Sequence, residues 1–220
     1  MTTSLRIVTV CTGNICRSPM AQYWMRAALP EDEVLIESAG TSAMVGRGMD
    51  QRSAALTVRF GGDPRSHVAR QLDERILSGA DLVLAMAREH REAVVSMVPA
   101  LARRAFTIIE IERLIAAERF SSLRRLAAQT DGPPSARMPV LLDALAARRS
   151  DVRLAGEASI DVVDPYRRDD EVGQRSAAQL LPAVETVVEL VRTALGPQGR
   201  PAADPEMATV SPRRDAGARW

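Results

Sequence analysis

Residues 5–22 read LRIVTVCTGNICRSPMAQ, and the order of residue types in this stretch decides the fold. Leu5 to Val10 is a short apolar, β-branched run ending at a turn, the pattern of a strand buried on both faces of a parallel sheet. Beyond the turn, Ser18 suits an N-cap and Pro19 the first helical position, where a missing N–H costs nothing. A helix from there to about Leu29 completes a strand, a glycine-containing loop and a helix. Such a loop points several backbone N–H groups at one spot, at the positive end of the helix dipole, and that spot suits a phosphate. Cys11 lies at the bottom of the cradle, where oriented amides and a nearby guanidinium favour the thiolate. Arg17 can fold back and hold two phosphoryl oxygens at once, which a lysine could not. Gly13 permits close backbone approach, and Asn14 tolerates the left-handed conformation that a nest of amides requires.

The alternation continues outward from this unit. Val34 to Glu37 reads as a second strand, followed by the turn-rich SAGTSAMVGRG of 38–48 and a short helix near Asp50 to Phe60. ADLVLAM at 80–86 is a third buried strand, after which Met86, His90, Ala93, Val94, Met97 and Leu101 recur at helical spacing, and Ala105 to Ile109 is a fourth strand. Strands and helices alternating at this length give an α/β fold with a parallel sheet and right-handed crossovers. Within 111–158, Ala116, Phe120, Leu123 and Ala127 mark one amphipathic helix and Met138, Leu141, Leu142 and Leu145 another, with TDGPPSAR between them. This reads as an inserted helical hairpin. The last helix carries Leu180, Val184, Val187, Val188, Val191 and Leu195 on one face, with Pro182 expected to kink it or begin a new segment. Residues 1–195 then form one domain, and 196–220, with four prolines and almost no large apolar side chains, a disordered tail.

Composition narrows the functional classes. Hydrophobic residues make up 46% and charged residues 26% of the 220, an ordinary globular balance. The formal net charge of +1 offers no polyanion-binding surface, so nucleic acid is not an indicated partner. No apolar run approaches a membrane span, and the chain reads as cytoplasmic. Two cysteines five positions apart make no disulfide framework. C-x4-C is not a usual zinc spacing, and His67 and His90 form no paired motif, so neither metal nor cofactor is expected.

VCTGNICRSPMAQ, with SAGTS at 38–42, SHVARQ at 66–71, ADLVLAM at 80–86 and DPY at 164–166, resembles the low-molecular-weight protein tyrosine phosphatases, whose loop pattern is V-C-x-G-N-x-C-R-S-P. The resemblance covers most of 5–109 and 159–195 in the right order. It implies a four-stranded parallel sheet with helices on both faces and the loop at the carboxyl end of the first strand. It further implies a cysteine-dependent phosphoric monoester hydrolase acting on phosphotyrosine-bearing proteins. Cys11 is then the nucleophile that forms a phosphocysteine. Arg17 binds the transferring phosphoryl group, Ser18 hydrogen-bonds the Cys11 sulfur, and Asp164 is the general acid and then the base. Thr12, Gly13, Asn14, Ile15 and Cys16 complete the phosphate-binding loop, with Asn14, Ser38 and His67 supporting its shape. Ile15, Met44 and Tyr166 line the substrate slot. Cys16, by the same resemblance, can form a reversible disulfide with Cys11.

Related enzymes on this fold act on phosphotyrosine, phosphoarginine or arsenate. The arsenate reductases need further downstream cysteines, and none follows Cys16. The phosphoarginine enzymes carry Thr where Ile15 stands and tend to Phe where Tyr166 stands, so phosphotyrosine is expected. A protein arginine phosphatase is the alternative, as is a phosphoprotein-binding module without turnover. Ala43, Met44 and Val45 occupy the region where the family places an aromatic residue. Arg167 and Arg168 replace the Tyr and Gly of its D-P-Y-Y-G and read as a solvated loop.

Overall fold

The computed structural model describes residues 4–150 and 159–196. The disordered tail expected beyond Gly196 and the stretch 151–158 of the expected insertion lie outside the described residues. Four strands, β1 (Leu5–Cys11), β2 (Val34–Gly40), β3 (Leu82–Ala85) and β4 (Ala105–Thr107), form one sheet in the order β2-β1-β3-β4. Every pairing is parallel, with Cys11 beside Gly40 and Val10 beside Ala85. The two-residue period of β1 divides the core. Leu5 and Ile7 join Leu82, Leu84 and Phe106 on one face, while Val8 and Val10 join Val83 and Ala105 on the other.

Helices cover both faces. α1 (Arg17–Ala28) packs on the first, and α2 (Gln51–Arg59) starts at Asp50, whose carboxylate accepts from the Arg52 and Ser53 amides. α3 (Glu74–Leu77) and α4 (Arg88–Met97) lie on the second face through Leu77 and Val94, with a 3₁₀ turn at Pro99–Arg103 after α4.

The fourth strand is shorter than its sequence indicates. Thr107 and Glu110 form a reciprocal capping box, so Ile108 and Ile109 open α5 (Ile108–Glu118) instead of extending β4. The next apolar stripe is divided: Arg119, at φ 68°, breaks it before α6 (Phe120–Ala128), and α7 (Pro134–Ala147) follows. Leu123, Ala127, Met138, Leu141, Leu142 and Leu145 are all buried in the same core as α1 and the last helix, α8 (Asp170–Leu195). These helices extend the main core instead of standing apart from it. α8 runs through Pro182 as a single element, so that proline begins no new segment.

Candidate active site

The sheet places its chemistry at the carboxyl end of β1, beside the point where the chain order reverses around it. Cys11 is the last strand residue, Thr12 to Cys16 form the loop, and α1 begins at Arg17. Every loop carbonyl is taken from outside. The Thr41, Ser42 and Met44 amides donate to the carbonyls of Cys11, Thr12 and Gly13 at 2.9, 3.0 and 3.0 Å. His67 Nε2 donates to Asn14 O at 2.7 Å, and the Asp50 amide to Ile15 O at 2.9 Å. With the carbonyls turned out, the amides of Gly13 to Cys16 donate to no protein acceptor among the described residues. That is the arrangement of a loop built to receive an anion.

Asn14 holds this shape at φ 55°. It is fully buried, and its Nδ2 donates to Ser38 Oγ at 2.8 Å and to Ser18 Oγ at 3.1 Å, while Oδ1 accepts from the Arg70 amide at 2.9 Å. Ser38 Oγ in turn donates to Gln22 Oε1 at 2.5 Å. Close approach is required less at Gly13 than at Gly40. A Cβ at Gly13 would make ordinary contacts, whereas one at Gly40 would stand 2.4 Å from Thr12 O.

Ser18 Oγ lies 3.0 Å from Cys11 Sγ. Its hydroxyl therefore serves the sulfur and Asn14, and it does not cap α1: the cap position is Cys16, without a side-chain cap. Arg17, 4% exposed, aims Nη1 at Val162 O, 3.2 Å away, and Nη2 at Asp164 Oδ2, 2.8 Å away. Its Nε is buried and has no hydrogen-bond partner among the described residues. Asp164 is half exposed, and its other oxygen accepts from the Tyr166 amide at 3.1 Å. Cys11, Arg17 and Asp164 border a cavity of about 210 Å³ whose other walls include Gly13, Ile15, Met44 and Tyr166. Met44 and Tyr166 pack against the cluster of Ile15, and Arg167, an exposed residue, holds its guanidinium 5.2 Å from the centre of the Tyr166 ring.

Cys11 and Cys16 are both free thiols. Burial pushes the Cys16 thiol up to about 12, partly offset by a hydrogen bond with Ser53. Burial also lowers His67 from the usual histidine value, despite its bond to Asn14 O. The sequence reading missed Gln22, Arg70 and His90. His90 Nε2 meets Thr12 Oγ1 at 2.8 Å from 78 positions away, a contact for which the linear pattern carries no signal. No cluster of potential metal ligands occurs among the described residues, and none of their helices is long and apolar enough to cross a membrane.

The family model described as low molecular weight phosphotyrosine protein phosphatase matches residues 6–118. Among curated relatives, the low molecular weight protein-tyrosine-phosphatase Ptp of Acinetobacter johnsonii is 39% identical over 40% of this chain and 61% of its own length. Wzb of Escherichia coli K12 is 38% identical over 42% of this chain and 62% of its own. The chain thus spans less than two thirds of either relative. The probable phosphatase EpsP of Ralstonia nicotianae is 38% identical over 49% of this chain and 72% of its own. Among solved structures, a low molecular weight protein tyrosine phosphatase from T. tengcongensis superposes with a TM-score of 0.57 at 28% identity, covering 84% of this chain and 99% of that one. The YwlE arginine phosphatase of Geobacillus stearothermophilus shares the fold, with a TM-score of 0.56 at 23% identity over 86% of this chain and 94% of that one.

Proposed function

Because this chain belongs to the low molecular weight phosphotyrosine protein phosphatase family, we propose that it hydrolyses phosphotyrosine in proteins through a phosphocysteine on Cys11. The observation that carries this reading is the cavity itself. It brings the Cys11 sulfur, the Arg17 guanidinium and the Asp164 carboxylate together over a loop whose amides, among the described residues, have no protein acceptor.

In the first step Cys11 Sγ attacks phosphorus as the thiolate, the P–S bond forms and the P–O bond to the phenol breaks. Asp164 gives its proton to the departing phenolic oxygen, which makes it a better leaving group. The loop amides and the Arg17 fork hold the equatorial oxygens, where the transition state carries its charge. In the second step Asp164 takes a proton from water as that water attacks phosphorus, and Cys11 leaves as a thiolate. Ser18, 3.0 Å from the sulfur, donates to it and eases its departure. Asn14, Ser38 and His67 act through the loop by holding its amides in place.

The apolar walls of Ile15, Met44 and Tyr166 support an aromatic ring as the occupant of the slot. Met44 supplies part of the surface where the family has an aromatic side chain. A phosphoarginine guanidinium would put several N–H donors against Ile15, which has no acceptor to offer. Two free cysteines and the absence of a membrane-crossing helix among the described residues support action in the cytoplasm. Phosphate release from matched phosphotyrosine and phosphoarginine peptides tests the substrate class. Turnover of the first and not the second, abolished by Cys11→Ser, is expected. Preferential release from phosphoarginine would overturn the assignment.

A further inference from the structure

His90 takes no part in the chemistry set out above, yet it is buried against the loop. It sits on α4, 1% exposed, with Nε2 2.8 Å from Thr12 Oγ1. A second oxygen, Glu89 Oε1, lies 3.4 Å from the same nitrogen. Nδ1 is buried and has no hydrogen-bond partner among the described residues. These neighbours decide the tautomer. A proton on Nε2 faces two oxygens, one of them a carboxylate, whereas a proton on Nδ1 would be a buried donor with nothing to receive it. Burial first, and then the Arg17 guanidinium, holds the ring down to about 4 against the pull of Asp164 and Asp161. The imidazole is therefore neutral at neutral pH, and its two nitrogens keep distinct roles.

We propose that His90 is a positioning residue that sets the polarity of Thr12: its Nε2–H donates to Thr12 Oγ1, leaving the hydroxyl proton free to donate to a phosphoryl oxygen in the cavity Thr12 lines. This rests on the reading of that cavity as a phosphoryl site. With the opposite polarity the hydroxyl would spend its single proton on the ring and meet the phosphoryl group with lone pairs alone. With the assigned polarity, Thr12 adds a side-chain donor to the loop amides, and a bond from it to a charged oxygen is of the stronger kind. His90 acts only through Thr12 and touches no reacting atom.

Two readouts test the assignment on the full chain. Long-range proton–nitrogen NMR reports the His90 tautomer with or without phosphate, and the His90→Gln variant identifies its signals beside those of His67. Nε2–H with a bare Nδ1 is expected, and Nδ1–H overturns the proposal whatever the enzyme turns over. Calorimetric titration with inorganic phosphate reads the consequence. Thr12→Val should weaken binding about tenfold, Thr12→Ser should stay within about threefold of wild type, and His90→Leu added to Thr12→Val should cost little more. Unchanged affinity in Thr12→Val, or losses at the two positions that simply add, would contradict the assignment. Retention in Thr12→Ser separates loss of the hydroxyl from loss of fold. Phosphate binding that follows this pattern without turnover of any phosphopeptide would overturn the hydrolase reading and support the His90–Thr12 assignment.

Discussion

Asp164 occupies the ground that the proposed reaction must clear. Its carboxylate sits 2.8 Å from Arg17 Nη2, where a phosphoryl oxygen would be bound. The pair is half open to solvent on the Asp164 side, so it is worth no more than about 1 kcal/mol and yields readily to an incoming dianion. Removing the negative charge should therefore have opposite effects on binding and chemistry. Asp164→Asn is expected to lower phosphotyrosine turnover at least about a hundredfold. It should also tighten inorganic phosphate binding by a few-fold, because no carboxylate competes for the guanidinium. Weaker phosphate binding in Asp164→Asn would contradict the exchange. The legible residues here were those whose backbone demands a particular type, such as Asn14 at φ 55°. Gln22, Arg70 and His90 were not legible, because each acts through hydrogen bonds to residues far away in the chain, for which a linear pattern carries no signal.

The elements were legible wherever a local rule acted without competition. Asp50 starts α2 as its residue type indicates. Only the cap expected of Ser18 fails, because two structures compete for one hydroxyl: a cap on α1, and the bonds to Cys11 and Asn14 that it makes instead. The break between α5 and α6 had no signal, since Arg119 adopts a positive φ that sequence reading assigns to Gly or Asn. The periodicity through α6 and α7 was right about which residues are apolar and silent on what they meet. They meet α8 and the rest of the sheet-covering layer. Leu142, 1% exposed in that core, gives the corresponding test. Leu142→Ala should destabilise the whole fold by about 2–5 kcal/mol in chemical denaturation with a single transition. A cost under about 1 kcal/mol, or a separate early transition, would mean that this arm stands apart from the core.

For the molecule as a whole, buried histidines tie stability to pH. His90 is lowered from 6.5 to about 4 and His67 is lowered in the same direction. As pH falls below about 6.5 the unfolded chain takes up these protons while the folded chain refuses them, so stability declines until the folded values are reached. Glu37, mainly desolvated but held down overall by Arg6 and Arg70, removes further stability as acid protonates it. Glu112, raised by burial, works in the opposite direction. The urea midpoint should therefore be higher at pH 7 than at pH 5, and the difference should shrink in His90→Gln. An equal or higher midpoint at pH 5 would contradict this. These couplings were hidden in the sequence, because a pKa depends on burial that only the assembled fold supplies. The fold class was legible because strand, loop and helix repeat in order, and the site because its loop is one contiguous stretch. The most direct test of the account is to quench the enzyme during phosphotyrosine hydrolysis and map the phosphoryl group by mass spectrometry. A phosphoryl adduct on Cys11, absent from Cys11→Ser, is predicted; steady turnover with no adduct on Cys11, or with turnover preserved in Cys11→Ser, would contradict it.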